Sequence, residues 1–317
     1  YRGYYINDLF AWFVAYSNFF NHSIFEDYPW AKKMALMELW SSLPIYHSPN
    51  YCTAGNVRWL AHWQILKLFD EPERAYLLNY LQKIDEYSPL LPHSRSFGIP
   101  YSWLMYFTKF DTSGITPKTP SYTSYLSSGS LYKVFRESWD PDANWLGFIT
   151  YKPEHYYKSK SHRNMWHHDQ LSIEYYAKGD LLLADGGEVK GVLDKQYGGP
   201  VFMHNVILFE NPRNPFPYTG LYDTNAAGIH KAKKENMVSR ETIIQSDTIE
   251  AVRAGVTIKY AHNKGWETIT LSSPIDYERT VIFPKDYFII VDKAKGSESW
   301  IWRNLWRFSS LNITPKS

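Results

Sequence analysis

The chain has 317 residues, enough for two domains with separate cores, and its 44% hydrophobic and 21% charged content is ordinary for a globular protein. A net charge of +2, with basic residues nearly balanced by acids and no long basic run, argues against a nucleic-acid binder. No apolar run approaches about 18 residues, so no segment reads as a transmembrane helix, and the single Cys52 excludes an internal disulfide.

The sequence opens at Tyr1 without a charged-then-apolar leader and reads as a processed or incomplete chain. Residues 1–115 read as helices. Ile6 to Phe20 is apolar and aromatic on most sides, as in a buried helix; Pro29 suits the start of a helix over Ala31 to Trp40, with an apolar face from Met34, Leu36, Met37, Leu39 and Trp40. Gly55 to Phe69 places Trp59, Leu60, Trp63 and Leu66 at helical spacing, and Glu73 to Tyr87 repeats the habit through Leu77, Leu78, Leu81 and Ile84. A last helical segment, Tyr101 to Phe110, follows Pro100. Aromatic residues are the anomaly of the composition, with 26 Tyr and 13 Trp. Such rings fill cores, and they also stack on sugar faces while keeping a polar tip wet. The Asn-X-Ser/Thr sequons at Asn21 and Asn312 matter only in a secreted protein of a glycosylating organism.

Residues 111–130 are rich in Ser, Thr, Pro and Gly, and 116–130 read as the linker to a second domain, 131–317. There, short alternating strands dominate: Trp145 to Tyr151, Val201 to Glu210, Thr248 to Tyr260, Glu267 to Leu271, Thr280 to Phe283 and Tyr287 to Val291. The fold class expected is α+β and multidomain, with helices followed by an antiparallel β-sandwich.

Between them, Leu171-Ser172-Ile173-Glu174-Tyr175 and Leu181-Leu182-Leu183-Ala184 read as a hairpin about Lys178-Gly179. His167, Asp185 and His204 flank these runs. Imidazole nitrogens with one carboxylate suit zinc, leaving a fourth position for water. A simple register leaves His167 and Asp185 several residues apart at about 3.3 Å each, so a bend or bulge has to close the gap, and Gly186-Gly187 is where the backbone supplies one most easily. The plainer alternative is that His167 hydrogen-bonds within a polar cluster and Asp185 caps a turn.

Four stretches in consistent order carry a resemblance. They are Arg136-Glu137-Ser138-Trp139-Asp140-Pro141-Asp142-Ala143-Asn144-Trp145-Leu146, His167-His168-Asp169-Gln170-Leu171-Ser172-Ile173, Leu182-Leu183-Ala184-Asp185-Gly186-Gly187 with His204-Asn205-Val206, and Tyr277-Glu278-Arg279-Thr280-Val281-Ile282-Phe283 with Tyr287-Phe288-Ile289-Ile290-Val291-Asp292. Over roughly residues 130–295 the chain resembles the C-terminal half of the heparinase II/III-like polysaccharide lyases and their relatives among alginate lyases and uronyl epimerases. The resemblance implies an N-terminal α/α toroid, which about 115 residues supply only in part, so the chain is expected to enter mid-toroid. It also implies that His167, Asp185 and His204 hold one structural Zn2+ that braces the sandwich beneath the substrate cleft. The family places a second histidine two residues before the first ligand, where this chain has Met165. A thioether cannot shuttle protons, so His162, Asn164 or His168 takes that role or the activity is altered or lost.

The implied chemistry is β-elimination on an acidic polysaccharide containing uronic acid. The C5 proton is removable only when the neighbouring carboxylate is neutralised, after which a base takes the proton and an acid protonates the departing O4. The family draws its neutraliser and base from the toroid, which directs attention to Asn56 as neutraliser, with Arg58 and His62 as neighbours. Asn56 also suits a plain helix N-cap, and His62 a core histidine. Tyr101 and Tyr106 fall where the family's catalytic tyrosine is expected in chain order; Tyr156 and Tyr157 are alternative proton donors from the sandwich side. Arg136 and Arg163 are candidate carboxylate or sulfate binders, and Arg136 is equally an ion-pair partner for Glu137 or Asp140. Positive clusters at Lys158, Lys160 and Arg163 and at Lys231, Lys233 and Lys234 would attract a polyanion, or are solvated loops. Three readings stay open: a lyase, a uronyl C5-epimerase using the same proton abstraction, and a non-catalytic glycan-binding or cell-surface homologue. All three imply a secreted, periplasmic or cell-surface location. Sugar identity and oligomeric state have no signature in the sequence.

Overall fold

The computed structural model describes residues 2–45, 63–87, 110–153, 170–185, 204–210, 226–227, 237–262, 268–297, 299 and 301–308. These divide into two compact units. One runs to Thr123 and takes in Ser138–Asp142; the other holds Ser124–Glu137 and the chain from Ala143 onward.

The first unit is helical. Helix α1 (Arg2–Phe20) buries Phe10, Phe13 and Val14, and Ser23 caps the short α2 (Ile24–Asp27) by accepting from the Phe25 N–H at 3.3 Å. Pro29 opens α3 (Pro29–Ser41), where its missing N–H costs no hydrogen bond, and Ala31, Ala35 and Leu39 face inward from it at helical spacing. Helix α4 (Glu73–Tyr87) has the bounds its apolar periodicity predicts and buries Leu77, Leu78 and Leu81. Trp63–Leu68 forms a 3₁₀ helix where an α-helix over Gly55 to Phe69 is expected. Its end is held by the Phe69 N–H and the Arg74 Nε, which both donate to the Leu66 carbonyl, at 3.3 and 3.1 Å. The rest of that expected helix, and Tyr101 to Lys109 of the last one, lie outside the described residues. One apolar core joins α1, α2, α3, the 3₁₀ turn and α4 through Phe13, Ile24, Leu39, Leu66, Phe69 and Leu78.

The second unit is built of antiparallel sheets. Strands β1 (Tyr132–Arg136), β2 (Trp145–Ile149), β3 (Ile173–Ala177) and β4 (Asp180–Leu183) lie in that order in one sheet. Strands β7 (Arg240–Gln245), β8 (Glu250–His262), β9 (Thr268–Phe283) and β10 (Ile289–Lys295) form a second, ordered β10-β9-β8-β7. The third pairs β5 (Ile207–Glu210) with β6 (Ala226–Ala227) on one side and β11 (Ile301–Asn304) on the other. All three contribute to one core, with Phe135 and Phe148 from the first, Val252, Val256, Tyr277 and Val281 from the second, and Ile207 and Phe209 from the third. The edge-to-face pairs Phe135–Phe283 and Phe209–Tyr277 cross between sheets at 6.3 and 5.8 Å.

The hairpin β3–β4 forms as its sequence predicts. Lys178 and Gly179 adopt φ 54° and 81°, the left-handed pair that a two-residue turn between twisted strands requires. The irregularity falls between Tyr175 and Tyr176, which pair with Leu183 and Leu181 and leave Leu182 as the extra residue. Gly186-Gly187, the expected position, lies outside the described residues. A larger difference is β9, where the separate strands Glu267 to Leu271 and Thr280 to Phe283 prove to be one. Its pairing with β8 jumps from Ile275 opposite Ile258 to Thr270 opposite Tyr260. Ser272-Ser273-Pro274 is thus taken up in a bulge, where proline needs no ladder N–H.

Candidate functional site

The polar centre of the second unit gathers at one end of β3. Ser172 precedes the strand, Asp185 follows β4 by two residues, and His204 precedes β5 by three. The hairpin returns the chain so that Ala184 bonds back to the Arg307 carbonyl at 3.0 Å, which leaves the next side chain, Asp185, turned inward and 1% exposed. The His204 Nδ1 lies 2.9 Å from each carboxylate oxygen of Asp185, and the Ser172 hydroxyl donates to Oδ2 at 3.0 Å. A buried carboxylate is costly unless such partners surround it. Here the sequence alternation of β3 and the turn chemistry of Lys178-Gly179 place them.

A second layer fixes the first. The Asp185 N–H reaches the buried Glu174 carboxylate at 3.4 Å, and Glu174 also accepts the Tyr132 hydroxyl at 3.2 Å. Tyr132 reaches across β2 because Gly147 stands in its path: a Cβ there would overlap the Tyr132 hydroxyl and ring. The Asn205 N–H donates to Ser172 Oγ at 3.1 Å, its side-chain amide donates to the Ile173 and Ala184 carbonyls at 2.8 and 3.1 Å, and its Oδ1 accepts the Arg307 N–H at 2.6 Å. One asparagine thereby ties β3, the end of β4 and the segment after β11 to the residue beside His204. Beyond it lie Arg279 and Asp292, directly opposed on β9 and β10 and joined through two parallel bonds of 2.8 and 2.9 Å. The Tyr277 hydroxyl donates to the same carboxylate at 2.9 Å. Burial pushes the Tyr277 phenol well above its ordinary range; the Arg279 charge opposes that and Asp292 reinforces it.

Of the residues singled out by sequence, Asp185 and His204 are brought together. Arg136 is on β1 with its side chain fully buried and its backbone N–H donating to Ser124 Oγ at 3.0 Å, out of reach of solvent. Asn56, Arg58, His62, Tyr101, Tyr106, Tyr156, Tyr157, His162, Arg163, Met165, His167 and His168 lie outside the described residues. Among the described residues no group of three metal-binding side chains occurs, and two of the three expected zinc donors fall among them. Those two supply donor atoms of the kind zinc takes, a ring nitrogen and carboxylate oxygens, on buried side chains; their 2.9 Å separation is that of a hydrogen bond. Sequence reasoning passed over Asn205, Arg279 and Asp292 as functional. For the last two the signal was phase: Arg279 falls in the same phase as Tyr277, Val281 and Phe283, all core residues, and Asp292 shares the half-buried phase of Ile290 and Ala294.

Comparison with known proteins gives a likeness of fold. A solved heparinase III superposes over 92% of this chain and 39% of its own length, with 15% sequence identity and a TM-score of 0.57. The heparan sulfate lyase HepC from Pedobacter heparinus matches over 84% of this chain and 32% of its own, at 14% identity and a TM-score of 0.45. The Heparinase III-BT4657 gene product matches over 88% and 34%, at 17% identity and a TM-score of 0.48. What the chain shares with that heparinase III is the fold. The chain spans at most 39% of the length of these three structures. No family model and no curated protein matches it. Among the described residues no helix is long and apolar enough to cross a membrane.

Proposed function

We propose that the protein is a polysaccharide lyase that cleaves a uronic-acid-containing polysaccharide by β-elimination. The observation that carries this reading is the convergence of Asp185 and His204, buried and 2.9 Å apart, on a chain with the fold of heparinase III. In this reading residues 1–115 are part of an α/α toroid, 116–130 a linker and 131–317 a β-sandwich domain, and the protein acts outside the cytoplasm on an acidic glycan. His167, Asp185 and His204 would hold one Zn2+, whose contribution is to brace the sandwich beneath the cleft.

The chain's own residues do the chemistry. Asn56, with Arg58 and His62 beside it, donates to the uronate carboxylate and so acidifies C5–H. A tyrosine, Tyr101 or Tyr106, takes that proton; the C4–C5 double bond forms as the C4–O4 bond breaks, and a second donor among Tyr156, Tyr157, His162 and His168 protonates O4. Arg163 binds a carboxylate or sulfate of a neighbouring sugar. Met165, standing where a substrate-facing histidine is expected, favours a second reading in which the protein binds glycan without cleaving it.

Incubation with heparosan, chondroitin, hyaluronan and alginate, followed by ultraviolet absorbance of the unsaturated uronate, tests the first reading. Product from one of them, abolished in a folded Asn56→Ala, is the expected result. Solvent deuterium entering C5 without cleavage would establish an epimerase instead. Glycan retention with neither signal would establish the binding protein.

A further inference from the structure

We infer that Arg279, locked by Asp292, is the positioning residue of the Asp185–His204 pair. This rests on the reading of that pair as the functional centre. The guanidinium is fully buried, and its two remaining bonds come from one nitrogen: Nη1 donates to the Leu171 carbonyl at 2.8 Å and to the Asn205 carbonyl at 2.6 Å. Leu171 precedes Ser172, which holds Asp185; Asn205 follows His204. One atom on β9 therefore bridges the segment of Ser172, which binds the acid, and the segment of the imidazole, alongside the direct bonds of Asn205 to Ser172 and Ile173.

The backbone is bent to make this possible. Leu171 is fully buried and has φ 62°, a left-handed conformation that a γ-branched residue adopts only where its surroundings compel it. Its N–H is spent on the Ile149 carbonyl at 3.0 Å, while its carbonyl meets Arg279. Asp292 supplies what a buried cation needs, opposing Arg279 across the strand pair and binding Nε and Nη2, so that Nη1 is aimed by a planar fork. Trp306 closes the remaining face, its ring 5.2 Å from the guanidinium carbon. Lysine cannot reproduce the arrangement, because one ammonium cannot grip Asp292 bidentately and span both carbonyls.

The test uses the full chain and two readouts. Imidazole nitrogen resonances of His204, assigned by their loss in His204→Gln, report the pair itself; the rate at which a chelator strips added zinc reports its use. Arg279→Lys is expected to shift the His204 resonances and to speed zinc loss by roughly 10–100-fold, the usual effect of removing an outer-shell partner. Val281→Ala, a core truncation two residues along β9, lowers stability and is expected to leave both readouts unchanged. Where Arg279→Lys does not fold, Asp292→Asn takes its place with the same expectations. A folded Arg279→Lys with native His204 resonances and native zinc release overturns the inference, as does an equal change in Val281→Ala. If the unaltered protein takes up no zinc, the zinc reading fails, and the inference is decided on the resonances alone.

Discussion

The two units of this protein bury different things. Among the described residues, the helical unit encloses Phe13, Ile24, Leu39, Leu66, Phe69 and Leu78 with only Ser41 and Ser42 as buried polar residues. The β unit buries Lys133, Arg136, Glu174, Asp185, His204, Asn205, Glu250 and Arg279 inside an otherwise apolar core. A helix satisfies its own backbone and needs nothing polar inside. A sheet core can also be wholly apolar, so the charged groups here are not demanded by the fold, and each costs free energy unless its partners are in place. Glu174, Asp185, His204, Asn205 and Arg279 join in one network that ends at Asp292, whereas Lys133 pairs with Glu241 and Glu250 with Lys285 apart from it, and the candidate site is sought in the joined network.

The contrast predicts unequal tolerance. Asp292→Ala leaves the Arg279 guanidinium buried without its carboxylate and should lower stability by about 3–5 kcal/mol in urea unfolding. Leu39→Met, at a site in the helical unit more enclosed than Asp292, should cost less than about 1.5 kcal/mol because volume and polarity are kept. If the two losses came out equal, the distinction between a packed core and a wired one would not hold.

The next largest effect sharpens the same point within the β unit. Gly147→Ala places a methyl where the Tyr132 ring crosses β2 to reach Glu174. The strand cannot give way without breaking its register with β1 and β3, so a loss of about 1–3 kcal/mol is expected. Tyr132→Leu in the Gly147→Ala background should recover part of it, since the collision is with the ring and hydroxyl. A double variant no better than the single one would place the strain elsewhere.

These residues also show what was legible in advance. Helix α4 was readable to its ends because Leu77, Leu78 and Leu81 repeat at helical spacing between a turn and a polar stretch. The β3–β4 hairpin was readable because Lys178-Gly179 accepts positive φ and alternation flanks it. The 3₁₀ turn at Trp63–Leu68 was not, since over six residues an apolar spacing of three or four fits both helix types. Nor was the continuity of β9, because Ser272-Ser273-Pro274 has turn composition and only the pairing with β8 reveals a bulge. Asp185 and His204 could be named together from their residue types and from the resemblance of the stretches that carry them. Arg279 and Asp292 could not be paired until the register of β9 against β10 set them opposite each other.

The smallest effect lies in the helical unit, at a polar contact on its surface. The Tyr16 hydroxyl donates to Asp27 Oδ2 at 2.8 Å, and His22 Nε2 lies 3.1 Å from the other oxygen. The bond from Tyr16, followed by that from His22, holds the Asp27 carboxyl below its ordinary value of 3.8. A carboxyl lowered in the folded state stabilises fully above its unfolded value, and the contribution fades as pH falls from 3.8 through the lower folded value. The phenol is the mirror case. The same bond, with burial second, raises Tyr16 above 10.0, so its contribution is complete below that value and fades as pH rises through the folded one. Tyr16→Phe should therefore move the Asp27 midpoint up towards 3.8 in a carboxyl-carbon NMR titration, and Asp27→Asn should move the Tyr16 midpoint down towards 10.0 in an ultraviolet titration. The bond between them is exposed and screened by water, and Tyr16→Phe keeps the ring that packs against the core, so neither substitution should measurably shift the unfolding midpoint at neutral pH. An Asp27 midpoint unmoved by Tyr16→Phe would mean that His22 alone sets it, and the helical unit would then hold a surface ion pair in place of the hydrogen-bonded one.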